Sequence, residues 1–201
     1  DAATDAALAK LAAAIEKFTL PVTGTRDFDQ AQVTAGGLDT AQFDPLTMES
    51  KLLPGLYVSR VDGDVITYDL RMRRPNGGDY ISPLAAHSLE HLLATYMRSG
   101  EAGDRVIYVG PMGCRTGFYL LMSGGTEKNT ENFAALCAAL DGILAHTGKM
   151  PGAARRECGN FRALSLKAAK AEAEKYLEVL DTYRRAGTLP TFEYEGGRSG
   201  I

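Results

Sequence analysis

The chain has 201 residues, 45% of them hydrophobic and 23% charged, with a formal net charge of -3; this is enough chain to bury a sizeable core without disulfide staples. It carries no long basic run, so the electrostatic footprint of a nucleic-acid binder is missing, and no apolar run approaches the roughly 18 to 20 residues that span a bilayer. Three cysteines, Cys114, Cys137 and Cys158, are an odd number spread through the chain; they argue against a disulfide framework and for a reducing compartment, so the sequence reads as a cytoplasmic protein acting on a small molecule.

Residues 1 to 18 are alanine-rich, with Leu8, Leu11, Ile15 and Phe18 at helical spacing, and predict a short amphipathic helix or an arm. The first residue is Asp1 and not methionine, which reads as trimming, processing or a fragment. From Leu20 to Asp44 the chain is rich in Thr, Gly, Asp and Gln with little periodicity, and predicts a surface linker. Leu20-Pro21-Val22-Thr23-Gly24 spells a cell-wall sorting pentapeptide, but such a signal works near a C-terminus ahead of an apolar tail, and it is set aside here. Residues 1 to 44 hold seven acids against three bases, whereas the remainder holds eighteen acids against nineteen bases. That break near Pro45 predicts an N-terminal extension over 1–44 and one main domain over 45–201.

Within the main domain, Gly55 to Val61 and Val65 to Met72 are β-rich and joined by Asp62-Gly63-Asp64, a hairpin signal. Arg73-Arg74-Pro75-Asn76-Gly77-Gly78 closes the second strand. Ser82-Pro83 then offers an N-cap followed by proline at the first helical position, and the helix it opens should end near Ser99-Gly100. Arg105 to Val109 and Gly117 to Ser123 read as two further strands. The segment between them, Gly110-Pro111-Met112-Gly113-Cys114-Arg115-Thr116-Gly117, predicts a tight turn that holds Cys114 toward a ligand. Helices follow over 129–146 and 166–186, the latter with i to i+4 charge pairs. Strands and helices without regular βαβ repetition indicate an α+β fold, an antiparallel sheet packed against helices.

The predicted helix after Ser82 carries the chemistry. It contains His87-Ser88-Leu89-Glu90-His91, in which the two histidines stand one turn apart on one face and can reach a single metal ion. The H-x-x-E-H spacing inverts the H-E-x-x-H of common zinc proteases and is a metal-binding arrangement in its own right. On a merely structural reading both histidines would lie on a polar face, with Leu89, Leu92 and Leu93 toward the core. A catalytic ion usually takes three protein ligands and keeps one position open, so a third donor is needed. Cys158, in the turn Glu157-Cys158-Gly159-Asn160, supplies a thiolate suited to zinc or iron(II), and Cys114 then remains free for catalysis.

Taken together, these segments resemble the S-ribosylhomocysteine lyase family (LuxS). The likeness runs over about residues 48 to 180 and rests on Lys51-Leu52-Leu53-Pro54-Gly55-Leu56-Tyr57-Val58-Ser59-Arg60, Tyr68-Asp69-Leu70-Arg71, Arg74-Pro75-Asn76, His87 to His91, Gly110 to Tyr119 and Glu157 to Asn160. The resemblance implies a LuxS/metallohydrolase-like domain with a metal held by His87, His91 and Cys158. Iron(II) is the implied native ion, replaceable by zinc or cobalt. Glu90 and Cys114 are the implied acid and base catalysts, and Arg71 resembles the family's substrate-contacting arginine, the bland alternative being a strand-edge salt bridge. In the family, S-ribosylhomocysteine is cleaved to homocysteine and 4,5-dihydroxy-2,3-pentanedione, the autoinducer-2 precursor, by migration of the sugar carbonyl and β-elimination. A homodimer is implied, as are roles in quorum sensing and the methionine cycle.

Two departures stand out, because Glu49 and Leu164 occupy positions where the family usually carries histidine. They leave open a non-catalytic metal-stabilised homologue. A metallopeptidase with the same H-x-x-E-H is the other alternative, but its third ligand would be a distant glutamate. Of the remaining candidates, Cys137 reads as core packing and His146 as a favourable or solvated charge at a helix end. Arg155 and Arg156 read as a solvated turn or an anion-binding pair beside Cys158.

Overall fold

The computed structural model describes residues 52–188. The N-terminal helix, the linker, the boundary near Pro45 and the departure at Glu49 fall outside them. The first two strands, β1 (Gly55–Asp62) and β2 (Val65–Arg71), form the expected hairpin, with Gly63 at φ 64 in its turn. Glycine adopts that left-handed conformation without the steric cost a Cβ would bring. Helix α1 runs over Pro83–Ser99, and the Ser82 side chain caps it by accepting from the Ala85 amide at 3.2 Å. A short 3-10 turn at Gly103–Arg105 leads into β3 (Val106–Pro111), and β4 (Gly117–Met122) returns beside it. Helices α2 (Asn129–Ala145) and α3 (Leu166–Ala186) complete the described chain.

The four strands make an antiparallel sheet in the order β1-β2-β4-β3. Alternation along the strands sends Leu56, Ile66, Tyr68, Leu70, Phe118, Leu120 and Met122 into one core. Leu89, Leu92, Leu93 and Met97 of α1 meet that core, and α1 also packs on α2, α3 and β3, so it is enclosed on several sides. Each of these leucines stabilises the fold by about 1.5–3 kcal/mol on full burial, which makes α1 a rigid platform for the polar residues between them. Cys137 is in this core on α2, as its apolar neighbours predict.

The observed elements follow the sequence expectations to within one or two residues, the largest offset being at β3, which continues to Pro111. His146, at the C-terminal cap of α2, is half-buried and has two partners. Its Nδ1 accepts from the Tyr96 hydroxyl at 2.9 Å and its Nε2 faces the Lys149 carbonyl at 3.2 Å, so the imidazole joins α1 to the loop leaving α2.

Candidate active site

Two polar clusters stand out, one on α1 and the loop before α3, the other on β2 and the β3–β4 turn. In the first, the ligand atoms of His87, His91 and Cys158 all lie within 4.8 Å of one another. The helix provides the two imidazoles, whose ring centroids are 5.1 Å apart. His87 Nδ1 faces the Ala163 carbonyl at 2.9 Å. A carbonyl only accepts, so Nδ1 carries the proton and Nε2 presents its lone pair, the arrangement commonly found behind a metal-bound histidine.

That Nε2 lies 3.2 Å from Cys158 Sγ. A tetrahedral zinc-type ion bonds sulfur at about 2.3 Å and nitrogen at about 2.0–2.1 Å, which puts those two donors about 3.6 Å apart, so the pair needs little movement to fit. The Cys158 sulfur also accepts from the Asn160 amide at 3.3 Å, a contact that fixes the orientation of the donor. Two imidazoles and a thiol, all partly buried, suit zinc or iron(II) and not a hard oxygen-seeking cation.

Local backbone chemistry holds this cluster in place. Ser88 donates to the Leu84 carbonyl at 2.6 Å and accepts from the Ser165 amide at 2.8 Å, pinning the loop after Cys158 onto α1. Gly152, buried and at φ 79, lies flat against His91; a Cβ there would come within 2.5 Å of the ring. The carbonyl that holds His87 belongs to the residue before Leu164, and Leu164 itself is half-buried. Glu90 is also half-buried, one residue before His91, and has no hydrogen-bond or ion-pair partner among the described residues. At i+3 from His87 it flanks the histidine face of the helix.

The second cluster is centred on Thr116, which is 2% exposed. Arg71 lies on β2, an interior strand, so it is not the strand-edge residue of the bland reading. The residue is 9% exposed, and its guanidinium pairs with the buried Asp69 carboxylate and donates from Nη1 to Thr116 Oγ1 at 2.5 Å. Thr116 Oγ1 in turn lies 3.0 Å from Cys114 Sγ. Arg115, between the two, has φ 60, a left-handed conformation uncommon for a side chain of its size. The turn is fastened by amides of Met72 and Arg73 donating to the Thr116 carbonyl, and by Ile81 N donating to the Arg115 carbonyl at 2.9 Å. The last bond ties the Cys114 turn to the residues just ahead of α1.

Beside the first cluster, a cavity of about 400 Å³ is lined by Arg155, Gly159, Asn160, Phe161 and Arg162, residues on both sides of Cys158. Arg156 is not among them; it is exposed and 3.7 Å from Glu157. Sequence reasoning singled out the metal-ligand triad, Glu90, Cys114 and Arg71 but missed Thr116, Asp69, Ser88 and Gly152. Asp69 had a usable signal, since a residue two before Arg71 shares its face of the strand. Gly152 had none, because its requirement arises from a ring sixty-one positions earlier.

The sequence model of the family described as S-ribosylhomocysteinase (LuxS) matches residues 45–185. Among similar proteins, the S-ribosylhomocysteine lyase of Desulfotalea psychrophila is 45% identical over 139 residues, 66% of this chain and 86% of that one. The protein of the same name from Finegoldia magna is 40% identical over 144 residues, covering 69% of this chain and 90% of that one. That from Thermus thermophilus is 52% identical over 119 residues, 58% and 73% of the respective chains. A match that takes in both polar clusters and nearly all of the described fold makes the chain a member of the S-ribosylhomocysteinase (LuxS) family.

Proposed function

We propose that this chain is a metal-dependent carbon–sulfur lyase that cleaves S-ribosylhomocysteine to homocysteine and 4,5-dihydroxy-2,3-pentanedione. The observation that carries the reading is the gathering of His87, His91 and Cys158 within 4.8 Å, with Glu90 on the same helix and without a partner among the described residues, in a chain of this family. The third donor is a thiol and not a downstream carboxylate, which favours the lyase over an H-x-x-E-H metallopeptidase. His87, His91 and Cys158 would hold the ion, with iron(II) the resident metal and zinc or cobalt able to replace it. When bound, such an ion supplies a Lewis acid that polarises the substrate's carbonyl and hydroxyl oxygens.

The chain's own residues then move protons. Two successive carbonyl shifts along the ribose carbons each require a proton to leave one carbon and another to reach its neighbour, and the final elimination sends the C–S electron pair out on sulfur. Atoms balance without water or an oxidant, so the protein needs only an acid and a base. Glu90 is assigned to proton exchange on the ligand side of α1, where its carboxylate has no competing partner among the described residues. Cys114 is assigned to the complementary proton transfer, its thiol being exposed and hydrogen-bonded to Thr116. Arg71 binds substrate and holds the Cys114 turn through Thr116.

The domain division at 44/45, a homodimeric assembly and a cytoplasmic setting belong to the same reading. No described helix is long and apolar enough to cross a membrane. The test is anaerobic incubation of iron- or cobalt-loaded protein with S-ribosylhomocysteine, followed by a thiol assay for homocysteine. Steady thiol release is expected; none above background would overturn the assignment.

A further inference from the structure

We propose that Tyr96 and His146 are positioning residues for the metal ligand His91, acting through the segment from Lys149 to Gly152. The inference deepens the proposed function and rests on its metal site. The two histidines of α1 are held in different ways. His87 has its Nδ1 on the Ala163 carbonyl, whereas the His91 ring has no hydrogen-bond partner among the described residues. An imidazole that binds a metal keeps one orientation only if something other than the metal holds its ring. For His91 that hold is a packing contact. A Cβ on Gly152 would come within 2.5 Å of Nδ1 and Cε1, so the backbone of this glycine lies against that edge of the ring and leaves Nε2 on the other side.

Gly152 must itself be fixed for this contact to orient anything. The Ala153 amide closes a turn on the Met150 carbonyl at 3.2 Å, and one residue earlier the Lys149 carbonyl faces His146 Nε2 at 3.2 Å. A carbonyl only accepts, so His146 carries its proton on Nε2, and its Nδ1 accepts from the Tyr96 hydroxyl at 2.9 Å. Tyr96 and His91 stand on the same helix, five residues or about 7.5 Å apart along its axis. The path from Tyr96 through His146, Lys149 and Gly152 to His91 therefore leaves α1 and returns to it, and the segment it fastens is anchored at both ends on one rigid element.

The sequence of α2 makes room for this clasp. Gly142 lies inside the helix, where glycine is a destabilising choice. A Cβ there would meet the Tyr96 ring at 2.6 Å, so the glycine lets that ring lie against α2 and reach His146, which it meets edge-on with centroids 5.9 Å apart. Lys170 of α3 makes a separate tie at the same helix end, donating from Nζ to the Leu144 carbonyl at 2.7 Å. It touches neither member of the clasp, and so distinguishes a loosened helix end from a released His91.

The test is the rate at which the anaerobic, cobalt-loaded full chain surrenders its ion to excess EDTA, followed by the cobalt ligand-field absorption. Tyr96→Phe removes only the hydroxyl, and His146→Leu removes both hydrogen bonds of the imidazole. Both should release cobalt about tenfold faster than the parent, the effect of losing a group that orients a ligand, and both should shift the ligand-field bands. In metal-free protein, the amides of residues 147–157 should exchange hydrogen faster in both variants. Lys170→Met should behave like the parent in release and spectrum. Parent-like release from Tyr96→Phe and His146→Leu, an equal acceleration in Lys170→Met, or unchanged exchange over 147–157 would each overturn the proposal. A parent that takes up no cobalt would overturn the metal site and this proposal together, whereas a failed thiol assay on cobalt-loaded protein would overturn the lyase reading alone.

Discussion

The two polar clusters are built on different principles. The histidines come from one helix, where a four-residue spacing places side chains on one face whatever the rest of the fold does. The Arg71–Thr116–Cys114 chain comes from a strand and a turn, and exists only because β2 pairs with β4 in a register that sets Arg71 opposite Gly117. A helix writes a site locally, whereas a sheet writes it through pairing. The first should therefore tolerate changes elsewhere, and the second should couple tightly to stability.

Arg71→Met gives the sharpest contrast. Removing one partner of a buried ion pair costs about 3–5 kcal/mol, and Arg71 is also bonded to Thr116. Urea denaturation should show that loss together with impaired turnover; a fully stable variant would uncouple the cluster from the fold. Glu90→Gln should behave oppositely, keeping its stability and metal while kcat falls on the order of a hundredfold or more. Near-normal turnover would move the proton work elsewhere.

Gly152→Ala probes how the helical cluster leans on its loop. The added Cβ would meet the His91 ring at 2.5 Å in a left-handed backbone, so metal affinity should fall about 10- to 100-fold, as for the loss of other residues that orient a ligand. Competition against a chelator measures it, and unchanged affinity would mean that the loop yields freely. The smallest effect is expected at Cys137, whose thiol burial pushes up to about 11. Between the ordinary value of 9.0 and about 11 the unfolded chain loses this proton while the folded chain keeps it, so stability contributed by the neutral thiol declines as the pH rises through that window. Cys137→Ala should flatten this decline in thermal melts without touching turnover; an identical pH profile would contradict the assignment.

This contrast also explains what was legible in the sequence. Ser82-Pro83 marked the start of α1, and the H-x-x-E-H within it fixed both histidines and Glu90. Cys158 followed from the demand for a third donor, although nothing in its own segment showed that Ala163 and Ser165 would fasten the loop to α1. Cys114 was visible as a thiol in a glycine-rich turn. Thr116 was not, because its role depends on Arg71, forty-five positions away, and on the left-handed Arg115. The Tyr96 partner of His146 was hidden for the same reason, being fifty positions distant. Local periodicity survives in a sequence, and register-dependent contacts do not.

The division of labour between the clusters is tested most directly by metal content, measured by plasma emission on anaerobically purified Cys158→Ala and Cys114→Ala, with homocysteine release assayed on the same samples. Cys158→Ala should lose metal and turnover together, while Cys114→Ala should retain one ion per chain and lose turnover alone. Equal retention of metal in both variants, or its loss from both, would contradict the account.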